Sequence, residues 1–128
     1  MTSTSGRLLA SSALVREPVE NRQGEKLGSI TDLLIDVATG RIAYAVIDCG
    51  GFLGIGGKLA AVPWGALETD LDADHLVLNV DRDTLERAEA FDRDSWPDMG
   101  DRHWAEQLHA YYGVEPYWNW TPGQRSMH

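Results

Sequence analysis

Five glycines, Gly50, Gly51, Gly54, Gly56 and Gly57, fall within eight residues and are followed by Lys58. Residues of these types can cradle a phosphate, because backbone N–H groups approach an anion most closely where side chains are missing. A phosphate-binding P-loop, however, needs four residues between its first glycine and its Gly-Lys pair, then a hydroxyl residue for magnesium. Counted back from Gly57-Lys58, the first position is Phe52, and Leu59 stands where the hydroxyl belongs. The dinucleotide fingerprint matches at Gly54 and Gly56 and fails at its third glycine, again Leu59. A β-like run rather than a helix follows the loop. The five glycines therefore read as a structural corner of a bending sheet, with Phe52, Leu53 and Ile55 packing and Lys58 as an exposed charge. No cofactor is expected.

Three further groups carry chemistry-capable side chains. Asp70, Asp72 and Asp74 match the first three ligand positions of a calcium loop. His75 then replaces the required glycine, and position twelve is Asp81 rather than Glu. They read as a solvated turn. His103, Glu106 and His109 recur at three-residue intervals, but six residues of helix rotate the two histidines about 240° apart. A solvated helix face, not a metal site, is the expectation. Cys49 lies at the end of an apolar run, where a thiol is inert, and as the only cysteine it excludes an intramolecular disulfide. No serine sits in a nucleophile-elbow pattern. Catalytic and metal residues are expected to be absent.

The elements that must position these residues divide the chain in two. From about Leu14 to Val80 the pattern is β. Ile30–Val37 and Ile42–Asp48 are apolar runs separated by a turn with Gly40, the signature of a hairpin. Gly24 breaks the chain between Val19 and Leu27, so a strand precedes the hairpin. Lys58–Trp64 and His75–Val80 add short β-rich runs, split by the acidic stretch Glu68–Asp74. About six short strands without intervening helices predict a mostly β fold, a small barrel or sandwich. After Val80, Asp83 with Glu86 three residues on predicts a capped helix. A second helix fits residues 101–112, with Trp104, Leu108 and Tyr111 on one face and Gly113 ending it. Pro116 and Pro122 mark an extended aromatic tail. The division is a flexible tail over 1–11, a β domain over 12–80, an extension over 81–120 and a disordered end over 121–128.

The chain has 128 residues, 43% of them hydrophobic and 24% charged, which suits one soluble domain with a core. Its net charge of −9 is spread along both halves and opposes direct nucleic-acid binding. No apolar run approaches the ~20 residues of a membrane span, and the start lacks the positive charge of a secretory signal. A cytoplasmic location follows as the expectation.

Gly24-Glu25, Leu27-Gly28, Asp36, Thr39-Gly40, Tyr44–Val46, the run from Gly50 and Val62-Pro63-Trp64 together resemble the PRC-barrel domain family. The family is named for the cytoplasmic part of the photosynthetic reaction-centre H subunit. It also supplies the C-terminal half of a ribosome maturation factor. The resemblance covers roughly residues 12–80, and residues 91–104 and 111–118 are similar to the tail of stand-alone bacterial members. It implies a small β-barrel that binds protein partners, without shared catalytic residues. A counterpart of the membrane helix or extra domain that precedes the barrel in those two proteins is not expected in this chain, nor is attachment to a membrane or a ribosome.

Eight of the eleven aromatic residues lie after Val80: Phe91, Trp96, Trp104, Tyr111, Tyr112, Tyr117, Trp118 and Trp120. Burying one such ring stabilises by ~2–3 kcal/mol, so the rings are expected to pack on the barrel or on a second protomer. In the strand from Arg41 to Asp48 neither face is polar. Alternation puts Ala43, Ala45 and Ile47 on one face, expected to be the outer one with room for rings or a second subunit, and Ile42, Tyr44 and Val46 on the other. The candidate contact residues are Ala43, Ala45, Ile47, Phe52, Leu53, Trp64, Trp96, Trp104, Leu108, Tyr111, Tyr117 and Trp118. The functional expectation is a non-enzymatic, self-associating protein-interaction module, a homodimer with a further protein partner. Two alternatives are an accessory of photosynthetic electron transfer, or small-ligand binder, and an accessory of ribosome assembly.

Overall fold

The computed structural model describes residues 10–49, 58–70, 75–88 and 90–119. Among them, seven strands form one sheet in the order β5-β6-β1-β2-β3-β4-β7. After a single helical turn, α1 (Ser11–Leu14), come β1 (Pro18–Glu20), β2 (Lys26–Asp36), β3 (Arg41–Asp48) and β4 (Lys58–Pro63). A 3-10 turn, Trp64–Ala66, leads into β5 (Leu67–Asp70) and β6 (His75–Leu78). Helix α2 (Arg82–Arg87), β7 (Phe91–Asp92), helix α3 (Arg102–Tyr112) and a second 3-10 turn (Tyr117–Asn119) complete the chain.

Local chemistry explains the turns. Asn21 Oδ1 accepts the N–H groups of Gln23 and Glu25 at 3.1 and 2.9 Å, and Gly24 takes φ +86. That side-chain turn brings β1 back against β2. At the next hairpin the Asp36 carboxylate accepts the Ala38 N–H, and the Gly40 N–H reaches the Asp36 carbonyl at 2.7 Å with φ +78. Gly40 is at the left-handed position a short hairpin loop needs. β3 and β4 are antiparallel, and the Cys49 N–H donates to the Lys58 carbonyl at 3.1 Å. The glycine corner between them, with Phe52 and Leu53, lies outside the described residues, but a strand rather than a helix follows it.

β1 is sandwiched between β2, antiparallel, and β6, parallel. Side chains from β1 to β6 meet in a single core: Val19, Leu27, Ile30, Ala45, Ile47, Ala60, Val62, Leu67, Leu76 and Leu78. Since β4 and β5, far apart in the sheet order, are joined by only three residues, the sheet must curl on itself into a small barrel. Leu85 of α2 packs onto that core. The expected mostly β fold is observed. The two-residue β7, which pairs Phe91 with Leu59, was too short for any alternation to reveal.

Four local expectations change. Asp81, not Asp83, caps α2: its carboxylate accepts the Thr84 N–H at 2.8 Å and the Thr84 hydroxyl at 2.7 Å. These bonds hold the Asp81 carboxyl below its ordinary range. Glu68 and Asp70 belong to strand β5 rather than to an acidic turn, and Glu68 pairs with Arg22 of the β1–β2 turn. Residues 117–119 form a 3-10 turn instead of an extended tail. Lys58 is partly covered and bonds Asp92 at 2.9 Å, so it is not an ordinary exposed charge.

Candidate interaction surface

β3 buries both its faces, and over Tyr44–Ile47 the division is the reverse of the one read from the sequence, whereas Ala43 lies in the outer cluster as expected. Ala45 and Ile47 turn into the barrel core. Val46 and Tyr44 look outward, into two clusters closed by the C-terminal extension. Ala43 is buried beside Tyr44 and Ala105.

Helix α3 supplies the outer cover. Asp101 caps its start by accepting the His103 N–H, and Gly113 ends it in the left-handed conformation at φ 72. The Val114 N–H then returns to the His109 carbonyl at 3.1 Å, closing the helix end. Its sheet-facing stripe is Trp104, Ala105, Leu108, His109 and Tyr112. Tyr111, expected in that stripe, is 44% exposed and donates its hydroxyl to the Thr84 carbonyl of α2.

The rings interlock edge to face. Tyr44 meets Trp104 at 5.6 Å and 73°, and Tyr117 at 5.9 Å and 84°. Such pairs each add roughly 0.5–1.5 kcal/mol beyond their burial. Polar bonds pin the 3-10 turn over them. The Tyr117 hydroxyl donates to Asp36 Oδ2 at 2.9 Å, and Arg41 Nη1 donates to the Tyr117 carbonyl at 2.9 Å. The Arg102 guanidinium lies 3.9 Å from the centre of the Trp118 ring. The Tyr44 hydroxyl is buried and has no hydrogen-bond partner among the described residues. Its pKa is pushed far up, chiefly by burial.

His109 departs most from its sequence reading. Instead of lying on a solvated face it is 1% exposed. Its Nδ1 is 2.7 Å from the Ala105 carbonyl, and its Nε2 accepts the Tyr117 N–H at 3.3 Å. His103 and Glu106 are exposed. Among the described residues no group of three or more His, Cys, Asp or Glu is placed to hold a metal ion. Cys49 is buried in the barrel core, and burial pushes its thiol up to about 12.

The remaining candidate contacts separate into covered and open ones. Trp64 packs on the barrel core; Trp104, Leu108, Tyr117 and Trp118 pack on the outer face of β3 within the same chain. Trp96 leans on Phe91 at 5.4 Å and stays 40% exposed. Two exposed apolar residues escaped sequence reading, Ile35 at 53% and Val37 at 91%. Both sit where β2 runs out into the hairpin turn. The available signal was that Val37 interrupts a polar turn, where solvent would favour another residue type.

These features define a curled β barrel whose outer face is roofed by its own C-terminal helix, with no assembled reactive centre among the described residues. A family model, the PRC-barrel domain, matches residues 7–85, well over half of the chain, and the protein belongs to that family. No curated protein matches the chain significantly. No helix among the described residues is long and apolar enough to cross a membrane.

Proposed function

We propose that the protein is a non-enzymatic, cytoplasmic interaction module that works by docking, with a second copy of itself as its first partner. Membership of the PRC-barrel family supports a binding role. The observation that carries the proposal is the open apolar pair Ile35 and Val37 on the β2–β3 hairpin, at the end of β2, while Leu33 and Leu34 beside them are packed. Apolar side chains grouped on an ordered tip favour contact with another protein over continued hydration. Trp96, beside Phe91, extends the open apolar surface elsewhere on the molecule. Cys49, one buried thiol, suits a reducing compartment.

Light scattering across a concentration series tests the reading. A dimer that Ile35→Glu with Val37→Glu converts to a folded monomer supports it. A monomer at every concentration overturns self-association. Affinity capture coupled to mass spectrometry then discriminates the alternatives: membrane electron-transfer subunits or ribosomal proteins, in place of the protein itself, would replace this reading.

A further inference from the structure

His109 has its protonation state dictated from both sides. The Ala105 carbonyl can only accept, so Nδ1 carries the hydrogen; the Tyr117 backbone N–H can only donate, so Nε2 is bare. The neutral ring with its hydrogen on Nδ1 is the one form that satisfies both contacts. A second proton would place an N–H of the ring against the N–H of Tyr117, inside a site lined by rings. Tyr44 of β3 stands 5.6 Å away, Tyr117 6.1 Å and Trp118 5.6 Å.

The neighbouring charges do not offset that conflict. Asp36, at the end of β2, is engaged by the Tyr117 hydroxyl, and Arg41, at the start of β3, by the Tyr117 carbonyl. Arg102 of α3 already occupies the face of Trp118, the ring best able to attract a cation. His103 and Glu106 on the same helix face solvent. Two cations and one anion therefore surround the turn, and burial lowers the affinity of His109 for a proton despite the Ala105 bond.

We propose that His109 is a proton-operated latch: acid detaches the turn Tyr117–Asn119 from α3 and uncovers the Tyr44 ring of β3, which Tyr117 covers edge to face. Among the described residues Tyr117 anchors the turn by three hydrogen bonds, one each through its N–H, carbonyl and hydroxyl, beside the ring contacts of Trp118. Protonation removes the first, the one bond of the three that ties the turn to α3. Because the detached histidine titrates at its ordinary 6.5 and the latched one lower, the closed form is fully favoured above 6.5. Below that pH its advantage falls by up to about tenfold per unit, until the latched ring itself takes the proton. This device is independent of self-association, since it concerns a face already covered within one chain.

Isotope-labelled protein followed by NMR from pH 8 to 5 tests it. The His109 ring is expected to titrate with a midpoint below 6.5. The Tyr117 amide and Trp118 indole signals should move with that same midpoint, and the protection of the Tyr117 amide against hydrogen exchange should fall. His109→Gln should abolish the shared midpoint, and His103→Gln should leave it in place. A Tyr117 amide that stays unmoved throughout the range overturns the proposal. So does one that still moves with the same midpoint in folded His109→Gln. If that variant does not fold, a mismatch between the His109 and Tyr117 midpoints in the unmutated protein decides against it.

Discussion

A Cβ on residue 28 would stand 2.5 Å from the Asp48 carbonyl oxygen and 2.7 Å from Ile47 Cγ2, so β2 and β3 touch at a point that admits only glycine. Gly28 also has φ +152, outside the region other residues prefer. The obstacle on Asp48 is backbone and cannot swing away. Gly28→Ala should therefore cost at least about 2 kcal/mol, through strain and displaced strand pairing. Gly24→Ala, at φ +86 with open space around it, should cost only about 1 kcal/mol. Urea midpoints of the two variants check the order, and equal midpoints would contradict the close approach.

In the ring cluster over β3, the Tyr44 hydroxyl has no hydrogen-bond partner among the described residues. Tyr44→Phe removes the orphaned hydroxyl and keeps the edge-to-face contacts, so stability should hold or rise by about 1 kcal/mol. Trp104→Ala deletes the partly covered ring that meets Tyr44, and should cost about 2–3 kcal/mol. Thermal melts of both variants supply the comparison. No loss for Trp104→Ala would mean that α3 is a free appendage.

Cys49 is protected by the barrel. Its thiol is raised from an ordinary 9.0 to about 12, first by burial and then by the Asp48 charge. At pH 8 only about one thiol in ten thousand is ionised at that value, so a thiol reagent should label the folded protein far more slowly than the protein in urea. The same shift makes stability independent of this group below 9.0 and erodes it as pH climbs toward 12. In that window the unfolded chain releases the proton and the folded chain keeps it. Rapid labelling at pH 8 without denaturant would contradict the burial.

Much of the fold was legible because its signals are local. The β2–β3 hairpin follows from two apolar runs bracketing Gly40, and α3 from a helical stripe ended by Gly113. Other features were not, for identifiable reasons. Alternation assigns a strand face only when one face is polar, and β3 is apolar on both, so Ala45 and Tyr44 were placed on the wrong sides. Asp81 and Asp83 are equally good caps by type; the bond to Thr84 chose between them. His109 reads as a surface residue from its own helix because Tyr117, which donates to its Nε2, lies beyond the left-handed helix end at Gly113.

Composition and spacing alone determined that this chain makes a small β domain followed by helices, and that its glycine corner cannot follow a P-loop or dinucleotide template. Those conclusions depend on residue type and short-range periodicity, which the backbone obeys wherever the chain lies. Only the tertiary structure decided which face of β3 is inside, that the aromatic extension roofs the opposite face of the same chain, and that His109 is enclosed. Each of these depends on contacts between distant segments, whose register is set by how the whole sheet curls rather than by any local pattern.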